Sequence, residues 1–139
     1  MIARHGKSMG YSPSPAMVSN AKRALALINA GHAGAGMRPE TIAWVRKVAR
    51  GEALTPAKIL KARAWLRRHG PAVAEGRRRL IDPTSPAAVA WLAWFADPAI
   101  PWRADPSVSS DPAVRWIEQK AAEAEDDRAV RTAKRARVR

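Results

Sequence analysis

The chain of 139 residues predicts an all-α fold, a compact bundle of about five helices around a central apolar helix at 86–96, with an extended basic C-terminal helix or tail. Three observations carry that prediction. The composition favours Ala, Arg and Leu over Ile, Phe and Tyr, and these residues lose little rotamer freedom in a helix. No stretch alternates apolar and polar residues over the length of a strand. Five prolines (Pro15, Pro39, Pro56, Pro86 and Pro112) each open a periodic apolar stretch. Proline suits the first helical position, where its missing N–H would have no intrahelical partner. Ser14, Thr55, Ser85 and Asp111 precede four of the five and can cap a free N–H of the first turn.

The elements follow in order. Helix one is predicted from about Pro15 to Ala30, with Met17, Val18, Ala21, Ala24, Leu25 and Ile28 sharing one face. Gly31 stops it, and Gly31 to Gly36 reads as a flexible connection. Helix two spans about Pro39 to Arg50, with Ile42, Val45, Val48 and Ala49 turned inward and Gly51 as its stop. Helix three spans about Pro56 to His69, burying Ile59, Ala62 and Leu66, and Gly70-Pro71 is expected to end it. Pro71 to Leu80 fits either a short helix or a basic loop. Helix four, Pro86 to Ala96, carries Val89, Trp91, Leu92, Trp94 and Phe95 all round its axis, as a central helix does. The last helix begins near Pro112 with Val114 and Ile117 inward. After Ala122 it is Ala and charge, and is expected to project or fray. The domain reading is an N-terminal arm at 1–13, a helical domain at 14–122 and a charged C-terminal helix or tail at 123–139.

Charge is the strongest compositional signal. The net charge is +13, and residues 1–80 carry 16 Lys and Arg against 3 acids, while residues 81–139 carry 9 of each. Within the second half, Arg128 to Arg139 hold six basic residues and no acid. Such a field attracts polyanions: nucleic acid, an anionic lipid surface or an acidic protein. The longest apolar run, Ala87 to Ala96, is about half a bilayer span, so no membrane partner is expected. There is no Cys, which removes disulfides and thiolate chemistry, and no apolar leader follows Arg4, His5 and Lys7. A soluble, unexported protein is expected.

A search for chemistry yields little. His5, His32 and His69 lie far apart without metal-ligand spacing. Gly31 to Gly36 lacks the Lys-Ser/Thr of a phosphate-binding loop. Glu40, Glu52 and Glu75 sit at helix starts or in loops, with no pairing for acid–base work. The expectation is a non-enzyme without cofactor or metal. Candidate binding residues are cationic and aromatic: Lys58, Lys61, Trp65, Arg67, Arg68, Arg77, Arg78, Arg79, Arg131, Lys134 and Arg135. Of the six Trp, Trp91 and Trp94 read as core, and Trp44 and Trp116 as its edge. Trp65 falls on the wheel with Lys58, Lys61 and Arg68, where it either stacks on a base or plugs a gap under helix four. Residues 39–69 outline a helix-turn-helix-like hairpin whose helix three would face phosphates, without the Asn or Gln suited to base readout.

One resemblance adds context. Trp44 to His69, a helix ending Ala-Arg-Gly-Glu before a helix ending Arg-Arg-His, together with Ala-Trp-Leu-Ala-Trp-Phe-Ala-Asp-Pro-Ala-Ile-Pro-Trp at 90–102, resembles a helical module encoded by many tailed phages. The likeness covers roughly residues 20–102, and Trp91, Trp94 and Trp102 are its most specific part. Phe95-Ala96 stand where the module has two glycines, which extends the predicted helix through Ala96. The resemblance implies a phage accessory or virion-associated role, in the bacterial host cytoplasm or on a virion, and supplies no catalytic residues. Two further readings stand beside it: a sequence-tolerant DNA- or RNA-binding protein, and an inhibitor of an acidic host protein. The partner is thus nucleic acid or an acidic protein surface, a phage capsid included.

Overall fold

The computed structural model describes residues 10–75 and 82–138, with the side chains of 10–72 and 82–137. Among these residues the architecture is all-α. Five helices follow one another: α1 (Pro15–Asn29), α2 (Pro39–Ala49), α3 (Pro56–Glu75), α4 (Pro86–Ala93) and α5 (Pro112–Val138), with a 3₁₀ turn at Pro106–Val108 before the last. Each α-helix begins at the proline that announces it. The four capping side chains accept as expected: Ser14 Oγ from the Met17 N–H at 3.3 Å, Thr55 Oγ1 from Lys58 at 3.1 Å, Ser85 Oγ from Ala88 at 3.2 Å and Asp111 Oδ1 from Ala113 at 2.9 Å. Arg38, before Pro39, caps nothing with its side chain.

Three helices end in the same hydrogen-bonded turn, in which a residue of positive φ lets two successive N–H groups close on the last carbonyls. Gly31 ends α1 and Gly51 ends α2, with φ of 90° and 78°. At α4 the position is taken by Phe95, φ 76°. Its N–H donates to the Leu92 carbonyl at 2.9 Å, and that of Ala96 to the Trp91 carbonyl at 3.1 Å. Helix four therefore stops at Ala93, three residues short of the predicted Ala96. A turn that usually needs glycine is held here by burial of the Phe95 ring, which is 0 % exposed.

The second correction is at α3, which does not stop at His69 but runs through Gly70 and Pro71 to Glu75. Pro71 removes the hydrogen bond to the Arg67 carbonyl. Packing outweighs that loss: Gly70 is buried flat beneath the Trp102 indole, so close that an added Cβ would overlap the ring. Residues 76–81 lie outside the described part, so the helix-or-loop question for Pro71 to Leu80 is answered only as far as Glu75.

The apolar α4 lies at the centre as its composition predicts: Ala88, Val89 and every residue from Trp91 to Ala96 are buried. Met17, Ala21 and Ala24 of α1, Val45 and Val48 of α2, Ile59, Ala62 and Leu66 of α3, and Val114, Ile117 and Ala121 of α5 complete the core. α1 packs on α2 and α4, while α3 packs on α5. Two polar side chains tie the α4 turn into this core. Asn20 Nδ2 donates to the Phe95 carbonyl at 2.9 Å, and Asp111 Oδ2 accepts from the Asp97 N–H at 2.7 Å. Tyr11 exchanges both backbone hydrogen bonds with Leu54 at 2.8 Å, fixing the chain ahead of α1 against the α2–α3 turn. At the other end α5 is buried as far as Ala124. Its residues 128–137 are all exposed, so the helix projects past the body.

Candidate functional site

α3 carries cations on two faces, and the packing separates them. One face meets the acids of α5: Arg63 Nη1 lies 2.7 Å from Glu125 Oε1, and Arg67 binds Glu118 through two of its nitrogens, Nε to Oε2 at 3.0 Å and Nη2 to Oε1 at 2.5 Å. The Glu118 side chain is buried, so this bidentate pair is a structural clamp between the two helices. Arg67, expected to face phosphates, is therefore engaged by Glu118, with its own side chain still about half exposed.

The other face of α3 opens on a cleft of about 810 Å³. α2 leans on α1 and α3 leans on α5, so the two arms of the 39–69 hairpin stand apart and the cleft fills the space between them. The connection at residues 33–37 closes one side, and Pro86 and Ala90 of α4 with Trp94 at its C-terminal cap form the floor. Its cations are Arg38, Lys58, Lys61 and Arg68, against the single carboxylate of Glu40. Glu40 reaches Lys61 only loosely, at 3.8 Å, with both side chains more than half exposed. Such a pair contributes little.

The floor is aromatic. Trp65 stacks on Trp94 with centroids 5.3 Å apart and planes 12° from parallel. Trp65 also lies 5.7 Å from Trp91 and 4.5 Å from the His69 ring, both tilted. Trp102 meets the edge of Trp91 at 6.0 Å. Of the two readings of Trp65, the plug under α4 is thus realised, yet the half-buried ring still lines the cleft. Trp44, on the facing wall, has the Lys47 ammonium 4.6 Å from its ring centroid.

Lys58 departs furthest from expectation. Its place on the wheel with Lys61 and Arg68 predicts a solvent-facing cation, but it is 7 % exposed. Its Nζ sits 3.8 Å over the Trp94 ring, 5.6 Å from Trp44 and 6.0 Å from Phe95. Among the described residues it makes no ion pair. Burial, then the neighbouring Lys61, lower its pKa to about 8, and Glu40 offsets only part of that.

The structure thus gathers Lys58, Lys61, Trp65 and Arg68 at one site and assigns Arg67 to the α3–α5 contact. Arg131, Lys134 and Arg135 lie on the exposed end of α5, apart from the cleft. Arg77, Arg78 and Arg79 lie outside the described residues. Trp44, Arg38 and His69 belong to the cleft but were not among the sequence candidates. Trp44 and Lys47 at i, i+3 carried a signal of an aromatic flanked by charge, but only the fold puts that pair across from Trp65. Among the described residues no group of His, Cys, Asp or Glu could hold a metal ion, and no helix is long and apolar enough to cross a membrane. Comparison with protein-family models, curated proteins and solved structures gives no match to this chain.

Proposed function

We propose that this chain is a non-enzymatic binding protein whose partner is a polyanion, nucleic acid first, held on the open basic face of α3 and the exposed end of α5. The carrying observation is the division of charge on α3. Arg63 and Arg67 are matched by Glu125 and Glu118, whereas Lys58, Lys61 and Arg68 face a cleft holding one carboxylate. A fold that needed only solubility would not concentrate four cations against one loosely held carboxylate in a concave site, where low-dielectric walls strengthen their field. The end of α5 adds Arg128, Arg131, Lys134, Arg135 and Arg137, all exposed. The buried carboxylates are occupied structurally, Glu118 with Arg67 and Asp111 with the N–H groups of Asp97 and Ala113. The likeness of residues 44–69 and 90–102 to a tailed-phage module supports a virion-associated or accessory setting, in which packaged DNA is the abundant polyanion.

The test is anisotropy titration of the full chain with labelled duplex DNA, single-stranded DNA and RNA at rising salt. The expected result is affinity whose logarithm falls linearly with the logarithm of salt concentration, with a slope of about 0.7–0.9 per phosphate contacted. Absence of binding to all three at physiological salt would overturn the nucleic-acid reading and turn the charge toward an acidic protein surface.

A further inference from the structure

We infer that the cleft between α2 and α3 is a binding site for single-stranded nucleic acid, taking unstacked bases on its tryptophans and their phosphates on Lys58, Lys61 and Arg68. The inference rests on the nucleic-acid reading above and narrows it to one site and one form of ligand.

Lys58 is the first ground. A lysine with 7 % exposure is rare, because taking an ammonium out of water costs several kcal/mol unless a partner compensates. The partners here are ring faces, and cation–π contact returns only about 0.5–2 kcal/mol. Met would fill the same volume at lower cost. Lys58 lines the cleft with its ammonium against the Trp94 ring, so an anion reaching it would meet a largely desolvated charge, where attraction is far stronger than at an exposed surface. Lys61 and Arg68 line the same cleft and are exposed, so they could meet a second phosphate.

The aromatic lining is the second ground, and it selects the ligand. An acidic peptide would use the cations and leave Trp44, Trp65 and His69 idle. A nucleotide uses both, since every base offers a π-face to stack on and every linkage carries a phosphate. Trp94 is nearly covered, with Trp65 stacked on it and the Lys58 ammonium 3.8 Å from its ring centroid, so the stacking surface of the cleft is that of the half-buried Trp44 and Trp65. A duplex keeps its bases stacked inside a rigid cylinder and cannot turn them onto half-buried rings in a cleft. A single strand can splay them out. The volume of about 810 Å³ exceeds what one small anion needs and suits a short run of nucleotides.

The experiment uses the full chain, an oligothymidine of about a dozen nucleotides and a duplex of equal length, read by anisotropy and by intrinsic tryptophan fluorescence. The single strand is expected to quench the tryptophans, the duplex much less. Lys58→Met, which should fold at least as stably as the wild type, is expected to weaken single-strand binding about tenfold and duplex binding by clearly less, because stacking and the inner phosphate contact belong to the cleft while a duplex is also held by the end of α5. Trp44→Ala should act in the same direction. An Arg131→Glu, Lys134→Glu variant should weaken both ligands alike through the α5 surface. If the wild type binds both ligands and neither Lys58→Met nor Trp44→Ala lowers single-strand affinity, the cleft assignment is overturned while surface binding stands. Wild-type binding to neither overturns both readings. A polyglutamate peptide that quenches as strongly as the oligothymidine, with equal loss in Lys58→Met, would show that the cleft reads charge alone and would overturn the assignment to a nucleic-acid strand.

Discussion

Phe95 sets a backbone cost against a buried ring. A non-glycine residue in the left-handed region costs about 1–2 kcal/mol, whereas truncating a buried Phe to Ala costs about 3–5 kcal/mol. With φ at 76° and no exposed surface, burial wins, and the helix ends where the ring can be swallowed rather than where glycine would end it. Phe95→Ala should therefore lose about 3–5 kcal/mol of stability in urea unfolding. Phe95→Gly should be more stable than Phe95→Ala by about 1 kcal/mol, the reverse of the order inside a helix, because both leave the cavity and only glycine relieves the strain. An alanine variant as stable as the glycine one would remove the strain from the account. The caps beside this turn were legible in the sequence, because Ser or Thr or Asp before Pro is a local signal decided within four residues. Asn20 was not: it shares the wheel face of Met17 and Ala24, but its partner, the Phe95 carbonyl, is 75 residues away.

At the scale of elements, α3 shows how far a periodic pattern can be followed. Its apolar positions Ile59, Ala62 and Leu66 were readable and all are buried. Its cations lie on both flanks of that stripe, so the sequence could not say which flank would meet α5. The acids at Glu118 and Glu125, seven residues apart and so on one face of α5, decide it once the helices pack. The C-terminal limit of α3 was misread for a similar reason. Gly70-Pro71 is a stop signal in isolation, but Trp102, arriving from beyond α4, packs on the bare glycine and keeps the helix going. The two flanks give opposite mutational signatures. Arg67→Met leaves the Glu118 carboxylate buried without its bidentate partner and should destabilise the fold by about 1–3 kcal/mol, the cost of an unsatisfied buried acceptor. Arg68→Met, on the exposed cleft flank, should change stability by less than about 0.5 kcal/mol and weaken nucleic-acid binding instead. Paired urea-unfolding and anisotropy measurements would separate the two, and equal destabilisation by both would contradict the division of faces.

For the molecule as a whole, one buried ammonium should couple folding, pH and binding. Lys58 has an ordinary value of 10.5 unfolded and about 8 folded. Between those values the unfolded chain holds the proton and the folded chain has released it. Stability therefore rises with pH from about 8 to 10.5, and below about 8 the full penalty of the buried charge is present. Of the charged groups that line the same cleft as Lys58, Lys61 and Arg68 belong to α3 and Arg38 and Glu40 stand at the start of α2; Lys61 and Glu40 act on it directly, His69 also lines the cleft, and α4 contributes only apolar and aromatic surface. Self-repulsion from a net charge of +13 also eases as lysines deprotonate, so the wild-type curve alone cannot identify the source. Lys58→Met isolates it. That variant keeps every other charge, so it should exceed the wild type in stability below pH 8 and converge on it toward pH 10.5, as followed by urea midpoints across that range. An equal gap at both ends would mean that Met merely packs better. Binding should move the other way, because the inner phosphate contact requires the protonated amine. Single-strand affinity should fall as pH rises through about 8 while the fold grows more stable, because a neutral Lys58 relieves the desolvation penalty and leaves the cleft without its buried charge.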